Sequence, residues 1–453
     1  MRENVSFSFG PLALLNNVEN KFNFFEILFE GLGGKAKTLK DSAKLFAYNK
    51  LAESISINKI QEIYPYELFE ELGLNEIGNR TLYRNLERIG NNCKFLIENY
   101  QKFIKMKNLV SEEQFVDFSS SYFEGNNSEL GMLGYSRDNQ PGKKQIVFGI
   151  STGMNDIPTA LTIQKGNVCD KTHMNFMTNT VGKVLDKNSL LIFDCGGNTK
   201  KNKQKIIDKG FNYLTLKAKK KKTYLSYVKL FNQSDKKILS VNERIYSCVK
   251  IKEETEIKYI FFSKKLKNEQ IEKRNKKFLR ALVNGDKILS RMKKGKAIQT
   301  YISREGNILA KGEIQKQFEQ KNPFINGLEG FFILESSVDE SPEKILQLYK
   351  GRDKAEKLIR DLKEGTDLRP IRHWSRKAVI GYILIVFLTN CLIRLTHFLS
   401  NNGVVKNLKL LKKFLNNLTV TIIYRKNGLR ERVFSNFSSE IRGIFGDKPP
   451  NLA

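Results

Sequence analysis

The amino-acid sequence predicts an α/β protein in which a helical N-terminal region precedes a core of short strands and helices. Up to about residue 110, apolar residues recur at the spacing of one helix face. From about residue 114 the pattern changes to short apolar segments bounded by Gly, Asn and Pro, as in strands. Because 453 residues exceed the size of one ordinary core, we expect several domains.

The chain is strongly basic. Its 78 Lys and Arg residues exceed its 48 Asp and Glu residues, which leaves a net charge of +30 at pH 7. Such a charge attracts polyanions, and nucleic acid is the commonest polyanion for a chain of this size. A ribosome-associated or merely Lys-rich protein is the alternative. We therefore expect nucleic-acid binding, although the charge indicates no sequence preference.

The cysteines and the N-terminal segment bear on the cellular compartment. Five cysteines are scattered singly, and an odd number without close pairs argues against a disulfide framework or a zinc site. The segment from Met1 to Val5 lacks the basic and then apolar pattern of a secretory signal. We therefore expect a cytoplasmic, nucleoid-associated protein.

One apolar run extends from Ala378 to Ile393 and ends at Arg394. It is shorter than the roughly 20 residues that span a bilayer. The run therefore predicts a buried core helix, and we expect no membrane partner.

Residues 1–110 are predicted to form a helical region that binds DNA ends. A segment from Tyr66 to Leu72, a turn from Gly73 to Asn79 and a segment from Arg80 to Arg88 together resemble a helix-turn-helix motif. Its second helix would carry Arg84 and Arg88 into a major groove. The alternative is a pair of amphipathic helices that only pack against each other.

Residues 111–216 are predicted to form the first part of the core. Three consecutive strand-like segments suggest a meander, and a helix that starts near Asp170 follows them. The next apolar run is typical of a strand buried on both faces, and it delivers Asp194 at its carboxyl end, where site residues are common. The predicted strands are Phe115–Phe118, Gln145–Ile150, Ile157–Ile163, Leu190–Phe193 and Phe211–Leu216, with a helix over Lys200–Lys209.

Residues 217–328 break this pattern, because they open with a run of Lys and continue with Lys- and Glu-rich helix and strand fragments. We interpret them as an insertion. A Lys run is usually a solvated loop, although in a DNA enzyme it also suits phosphate contacts.

Residues 329–400 are predicted to form the second part of the core, and residues 401–453 a helical C-terminal tail. The second part begins with a strand over Phe331–Leu334 and continues with a helix from Pro342 to Glu364. Ser341 suits the N-cap of this helix, Pro342 its first position and Gly365 the position just beyond its end.

Four polar residues on that helix share one face. Tyr349, Arg352, Glu356 and Lys363 stand at offsets of 0, 3, 7 and 14 residues, which confines them to an arc of roughly 60°. The apolar residues of the helix lie beside this arc, so the polar stripe borders the buried face and suits the wall of a groove. A solvated face with an Arg352–Glu356 ion pair is the alternative.

This Tyr-x2-Arg-x3-Glu-x6-Lys spacing resembles the signature of insertion-sequence DDE transposases of the IS-four superfamily. The resemblance covers roughly residues 75–400. It departs from the family at Glu329-Gly330, where members often have Asp-Gly, and at Lys165-Gly166-Asn167, which matches a Pro-Gly-Asn segment. Its further motifs are Gly134-Tyr135-Ser136-Arg137-Asp138, Gly166-Asn167, Asp194-x-Gly196, Gly210-Phe211-x-Tyr213 and Arg369-Pro370-Ile371-Arg372-His373-Trp374.

The resemblance implies an RNase H-like catalytic core that is interrupted by a strand-rich insertion. Asp117 would lie on the first strand, Asp194 after the fourth, and Glu356 on a later helix. Asp138 and Asp156 lie near Asp117 in sequence, but only Asp117 follows apolar residues of strand character. The three carboxylates would hold two Mg²⁺ or Mn²⁺ ions about 4 Å apart, because hard cations prefer oxygen ligands.

The resemblance also implies the partners and the contacts with DNA. The protein would cleave transposon ends and join them to target DNA, as a homodimer that holds both terminal inverted repeats. Arg352 and Lys363 would grip phosphates, Tyr349 would donate a hydrogen bond to one, and Trp374 would stack on a base. A packing role is the alternative for Trp374. The alternatives for the whole chain are a catalytically inactive, transposase-derived DNA-binding protein and a protein that binds structured RNA.

Overall fold

The computed structural model describes residues 3–74, 77–283, 322, 324–400, 407–427 and 429–446. The end of the predicted insertion and the first residues of the predicted tail lie outside the described residues. The protein is a mixed α/β chain that divides into two compact units, Met1–Asn212 with Gly351–Ala453, and Tyr213–Lys350. The predicted boundaries after residues 110 and 400 thus fall within one unit. The second unit also takes in the strand and the first helical turns that were predicted to belong to the core.

The helices and strands follow one another along the chain with these bounds. The first part contains β1 (Val5–Ser8), α1 (Gly10–Phe22), α2 (Phe24–Phe29), α3 (Ala36–Leu51), α4 (Ile60–Ile63), α5 (Tyr66–Glu71), α6 (Asn79–Asn91), α7 (Cys93–Met106), β2 (Glu113–Tyr122), β3 (Gln145–Gly153), β4 (Pro158–Lys165), α8 (Asp170–Val181), β5 (Leu190–Phe193) and α9 (Lys200–Asp208). The second unit contains β6 (Asn212–Leu216), α10 (Lys221–Gln233), β7 (Lys237–Val241), β8 (Arg244–Lys252), β9 (Ile257–Phe262), α11 (Lys264–Val283), β10 (Phe331–Ser336) and α12 (Pro342–Lys350). The chain ends with α13 (Asp353–Arg360), a π-helical turn (Asp361–Gly365), α14 (Arg376–Leu399), α15 (Leu408–Asn417), β11 (Thr419–Tyr424), β12 (Arg430–Ser435) and α16 (Ser439–Phe445).

The sheet of the first unit contains four of the five strands predicted for the first part of the core, in the order β4-β3-β2-β5. The fifth, β6, belongs to the second unit. The pairs β4–β3 and β3–β2 are antiparallel, which confirms the predicted meander, and β2 pairs with β5 in parallel. All four residues of β5 are buried, as its unbroken apolar sequence predicts.

Helices cover both faces of this sheet. Neighbouring side chains on a strand point to opposite faces, and on β2 the ring of Phe118 contacts His173 of α8, with ring centroids 4.8 Å apart. The preceding residue, Asp117, faces Arg352 at the start of α13. Helices α8 and α13 therefore lie on opposite faces of the sheet.

Helix α14 forms the centre of the helical layer. It packs against α1, α3, α6 and β4, and the predicted burial of Ala378–Ile393 is confirmed, since nearly all of these residues are inaccessible to solvent. Of the described helices, it alone is long and apolar enough to cross a membrane by length and composition, and 83% of its apolar window is buried inside the protein. Such burial is a property of core helices.

Helices α6 and α14 approach each other closely because two glycines face each other. A Cβ on Gly90 would lie 1.8 Å from the carbonyl oxygen of Lys377, and a Cβ on Gly381 would lie 2.2 Å from that of Leu86. Neither obstacle is a side chain that can rotate away. The close packing of α6 on α14 therefore requires glycine at positions 90 and 381.

The second unit contains the strands β6-β10-β9-β8-β7 in that order, and β10, β9, β8 and β7 pair antiparallel with their neighbours. Tyr224 and Phe231 of α10 pack against Ile260 and Ile333 in its apolar core. The buried ammonium of Lys258 pairs with Glu253 and with Glu256, the latter at 3.3 Å. The predicted strand content of the insertion is therefore present in its described part.

Two predictions about secondary structure are wrong. The helix predicted from Pro342 to Glu364 is interrupted by a turn at Gly351 and Arg352, and its last residues form the π-helical turn. The predicted helical tail also contains β11 and β12, and β11 pairs antiparallel with β1 near the N-terminus. Sequence periodicity cannot show this pairing, because the two strands lie more than 400 residues apart.

We predict that Gly90→Ala lowers the free energy of unfolding by about 3 kcal/mol, because the added methyl group must displace the backbone of α14. Thermal unfolding followed by circular dichroism measures the effect. Gly443→Ala is the matched control, since Gly443 lies in α16 with open space around its missing Cβ. It should stabilise the protein by roughly 0.5 kcal/mol. Equal stability of the two variants would contradict the proposed packing.

Candidate functional site

Two of the predicted acidic residues lie at neighbouring positions, Asp117 on β2 and Asp194 just beyond the end of the parallel strand β5. Phe115 of β2 is in register with Ile192 of β5, so extending both strands by two residues brings Asp117 opposite Asp194. An even offset keeps both side chains on the same face, and neighbouring strands lie about 4.8 Å apart. Asp194 stands directly after β5, and its Oδ1 atom accepts a hydrogen bond of 2.8 Å from the backbone nitrogen of Gly196.

The third carboxylate, that of Glu356, is connected to Asp117 by the side chain of Arg352, which contacts both. The Nη1 atom of Arg352 lies 3.4 Å from Oδ2 of Asp117, and its Nη2 atom donates a hydrogen bond to Glu356. Helix α13, which carries Glu356, packs on β2 and β3. One guanidinium group thus connects a strand residue and a helix residue that are more than 200 positions apart in sequence.

The local electrostatics distinguish Asp117 from an ordinary surface carboxylate. Burial raises the pKa of Asp117 to about 6, Arg352 opposes this rise, and the nearby carboxylates of Asp194 and Glu356 add to it. The side chains of Asp117 and Arg352 are 16% and 18% exposed, whereas that of Glu356 is 52% exposed. The carboxylate of Asp117 therefore interacts electrostatically with those of Asp194 and Glu356, and Asp117 is far less exposed than Glu356.

A further carboxylate and its cation lie beside Asp194. A Cβ on Gly196 would lie 2.6 Å from Oδ2 of Asp170 and 3.0 Å from Oδ1 of Asp194, so the glycine permits the close approach of the two acidic residues. Asp170 in turn pairs with Arg137. Sequence reasoning assigned Asp170 only to the start of a helix and gave Arg137 no partner. The charged residues Arg137 and Asp138 in the motif from Gly134 to Asp138 were the feature of the sequence that could have indicated a charged network here.

The glycines of two motifs allow a close backbone crossing. A Cβ on Gly134 would lie 2.2 Å from the carbonyl oxygen of Gly166, and a Cβ on Gly166 would lie 1.9 Å from that of Gln145. The side-chain amide of Gln145 donates hydrogen bonds of 3.0 Å to the carbonyl oxygens of Tyr135 and Gly166. This crossing holds the segment that carries Arg137.

Asp138, one of the two alternatives to Asp117, has a different role. Its side chain is 1% exposed and accepts hydrogen bonds from Lys363 at 2.7 Å and Arg369 at 2.6 Å. The other alternative, Asp156, pairs with Lys354 at 2.9 Å. The carboxylate of Asp117, in contrast, interacts with those of Asp194 and Glu356.

Lys363, which was predicted to contact a phosphate, forms an ion pair within the protein. It is in the π-helical turn, its side chain is 8% exposed, and its ammonium group is bound to Asp138. Burial lowers its pKa, and Asp138 opposes that change. In the described structure Lys363 therefore fixes the segment around Asp138 and Arg369, and a contact with DNA remains a prediction.

The remaining predicted DNA contacts occupy three separate places. Tyr349 lies at the end of α12 in the second unit, while Arg84, Arg88 and Trp374 belong to the first. Arg84 and Arg88 are exposed on α6, the second helix of the predicted helix-turn-helix. Trp374 follows Ile371, which pairs with Phe123 just beyond β2, and its side chain is 67% exposed. These exposures leave the predicted contacts of all three residues untested.

Asp117, Asp194 and Glu356 have the oxygen ligands that a hard cation prefers, but they are not spaced as metal ligands in this structure. Burial is the main cause of the raised pKa of Asp117, and the carboxylates of Asp194 and Glu356 add to it, so a bound divalent ion would offset both contributions. Within the residues that the structure describes, however, no three His, Cys, Asp or Glu side chains are close enough together to hold a metal ion. The Arg352 guanidinium supplies the positive charge between Asp117 and Glu356.

Comparison with known proteins shows a distant structural similarity. No family model matches the chain, and no curated protein matches its sequence. Among solved structures, the chain is similar to a piggyBac transposase, in a cryo-EM structure of its synaptic complex with hairpin DNA. The two are 8% identical with a TM-score of 0.44, over 83% of this chain and 70% of that chain. A similarity this distant does not establish a shared activity.

We predict that Asp117→Asn raises the free energy of unfolding at pH 7 by up to about 3 kcal/mol in the presence of EDTA. Folding raises this pKa from 3.8 to about 6, so between these values the native state binds more protons than the unfolded state. Stability from this group therefore falls as pH rises through that window, and each pKa unit corresponds to about 1.4 kcal/mol.

Denaturant unfolding of parent and variant at about pH 4, 5, 6 and 7 measures this dependence. The difference between the two proteins should widen from pH 4 to pH 7 and change little above pH 7. Asp353→Asn, which removes an exposed carboxylate from α13, is the control and should show no such widening. A constant difference across the range would contradict the assignment of the raised pKa to Asp117.

Proposed function

We propose that this protein is a DNA transposase that cleaves DNA at transposon ends and joins those ends to target DNA by a metal-dependent DDE mechanism. The observation that carries the proposal is the approach of Asp117, Asp194 and Glu356 to one another from three distant segments. A structural ion pair needs two charged residues and no third or fourth carboxylate. A buried carboxylate that is repelled by two others, near the carboxyl ends of two interior strands, is costly for stability and is typical of a functional site.

The strand order supports an RNase H-like assignment for the core. In the sequence β2, β3, β4 and β5, Asp117 lies on the first strand and Asp194 follows the fourth. The resemblance drawn from the sequence implies this placement. Glu356 lies on a helix that packs against β2 and β3, as the last acidic residue of such a core would.

We propose that Asp117, Asp194 and Glu356 hold two Mg²⁺ or Mn²⁺ ions. When bound, these ions would activate a water molecule or a DNA 3′-hydroxyl group and stabilise the leaving oxygen. Glu356 is the member that must move, because it is half exposed and bound to Arg352. Asp117 and Asp194 are held by their strands and by hydrogen bonds from Phe118 and Gly196.

Arg352 has two charge partners in this proposal. Without DNA, its guanidinium group neutralises Asp117 and Glu356. When a phosphodiester lies at the site, the same planar group can donate two hydrogen bonds to a phosphate. Arg352 would thus help orient the scissile phosphate, and Tyr349 would contribute a hydrogen bond if it approaches the DNA.

Double-stranded DNA is the proposed partner, both at the terminal inverted repeats and in the target. A net charge of +30 supports phosphate binding, and Arg84 and Arg88 are exposed on α6. A homodimer that holds two DNA ends, and a cytoplasmic, nucleoid-associated location, belong to the proposal as expectations from the sequence.

A catalytically inactive, transposase-derived DNA-binding protein is the second candidate. It is favoured by the spacing of the carboxylates, since none of the described residues form a three-ligand metal group. In that case Arg352 would be a permanent structural partner of Asp117 and Glu356. DNA binding would remain, and cleavage would be absent.

We predict that the parent protein cleaves its element's terminal repeats in Mg²⁺, and that Asp194→Asn and Glu356→Gln each lower the cleavage rate by a factor on the order of a thousand. Asp353→Asn is the matched control, because Asp353 lies three residues before Glu356 on the same helix and forms an exposed ion pair with Lys357. Gel analysis of end-labelled DNA measures cleavage, and fluorescence anisotropy measures binding of the same DNA.

Each outcome separates the candidates. Cleavage by the parent and by Asp353→Asn, with binding retained by all four proteins, supports the transposase. Equal cleavage by the Asp194 and Glu356 variants would show that the acidic residues are assigned wrongly. Tight binding without cleavage in Mg²⁺ or Mn²⁺ would establish the inactive DNA-binding protein.

A further inference from the structure

A cavity of about 470 Å³ lies within the first unit. It is bordered by α3, α6, the segment from Pro370 to Trp374, and α14. Its volume falls in the range of about 300 to 1,000 Å³ that is typical of small-molecule sites. The cavity contains none of the three acidic residues of the candidate active site.

The charge on the walls of the cavity favours an anion. Lys50 and Arg372 line it, and no Asp or Glu occurs among its described lining residues. The Lys50 ammonium is buried and donates a hydrogen bond of 3.0 Å to the hydroxyl of Tyr382. Burial lowers the pKa of Lys50 to about 8, which leaves it mostly protonated at neutral pH. Arg372 is exposed and pairs with Glu124 at 2.8 Å outside the cavity.

The aromatic residues on the walls favour a flat ring system. Trp374 is the single Trp of the chain and is 67% exposed, and Tyr83 of α6 is 39% exposed. Tryptophan is usually well buried in proteins, so a Trp exposed at the rim of a cavity calls for a ligand. His373 also lines the cavity, and burial lowers its pKa to about 4, so its ring is neutral.

An unsatisfied hydroxyl group gives independent support. The Oγ atom of Ser54 is buried and has no hydrogen-bond partner in the part of the chain that the structure describes. Ser54 lines the same cavity. A buried polar atom without a partner costs free energy, and a ligand with hydrogen-bonding groups would supply one.

We propose that this cavity binds a nucleoside phosphate, with the base on Trp374 and Tyr83 and the phosphate near Lys50 and Arg372. Bases stack on aromatic side chains largely independently of sequence. The aromatic side chains of the cavity thus suit the base of a nucleotide, and its cations suit the phosphate. Two sources offer this chemistry, an unpaired nucleotide of bound DNA and a free nucleotide. The DNA source rests on the proposed function, whereas the free nucleotide does not.

The cavity is connected to the candidate active site through β2. Ile371 accepts a backbone hydrogen bond of 2.9 Å from Glu124 and donates one of 2.9 Å to Tyr122. Tyr122 ends the strand that carries Asp117 five residues earlier, a distance of about 17 Å along the strand. A DNA nucleotide in the cavity would thus lie several positions from the phosphate at the acidic residues.

Fluorescence of Trp374 tests the proposal, because the single tryptophan reports on this site alone. The full chain is titrated with a paired DNA duplex, with the same duplex carrying one unpaired adenosine, with an abasic bulge, and with deoxyadenosine monophosphate. Quenching by the bulged duplex, with about tenfold tighter binding than the paired or abasic duplex, would identify DNA as the source. Quenching by the monophosphate alone would identify a free nucleotide.

Variants separate the pocket from general DNA affinity. Tyr83→Ala and Lys50→Met should each reduce the base-dependent quenching about tenfold without changing binding of the paired duplex. Phe398→Ala, which removes another exposed aromatic ring, should change neither. Absence of quenching by both the bulged duplex and the monophosphate would overturn the proposal. Loss of all duplex binding, with quenching by the monophosphate retained, would contradict the proposed DNA function while supporting the nucleotide site.

Discussion

The parallel pairing of β2 with β5 is the constraint on which the candidate active site depends. It brings Asp117 and Asp194 to neighbouring positions on one face of the sheet, where two carboxylates repel each other and one is largely removed from water. Backbone hydrogen bonds fix the register of the two strands up to Phe115 and Ile192, which leaves a repulsion between the carboxylates two residues further on. The positive charge of Arg352 compensates part of it in the structure. The free-energy cost of bringing the carboxylates together is thus offset by the backbone hydrogen bonds of the sheet and by the guanidinium group of Arg352.

The supporting network explains why several small or charged residues surround the acidic side chains. Gly196 leaves room for Asp170 beside Asp194, while Gly134 and Gly166 allow the crossing that holds Arg137. Two adjacent residues of one loop form ion pairs with different segments, since Arg137 pairs with Asp170 and Asp138 pairs with Lys363. Rigid placement of charged groups by such contacts is what a preorganised polar site requires.

Local sequence patterns predicted the elements of the first unit better than the contacts between distant segments. The apolar run before Asp194 and the meander from β2 to β4 follow from periodicity alone. The turn at Gly351 and Arg352, in contrast, interrupts a segment whose apolar spacing is helical on both sides of it, and Gly351, a weak helix former, is its local sign in the sequence. Lys363 is buried against Asp138, which lies 225 positions earlier in the chain, and the spacing of residues along one helix cannot predict such a contact. The pairing of β1 with β11 was unpredictable for the same reason.

The interruption between α12 and α13 also bears on how such a chain can vary. Because α13 begins afresh at Asp353, the angular position of Glu356 relative to Arg352 is set within the first unit. An extra residue inserted within α12 would rotate the residues that follow it in that helix, Tyr349 among them, but the turn at Gly351 ends the helix before Glu356. Tyr349 and Glu356 can therefore change position independently, although their spacing in sequence is that of one helix face.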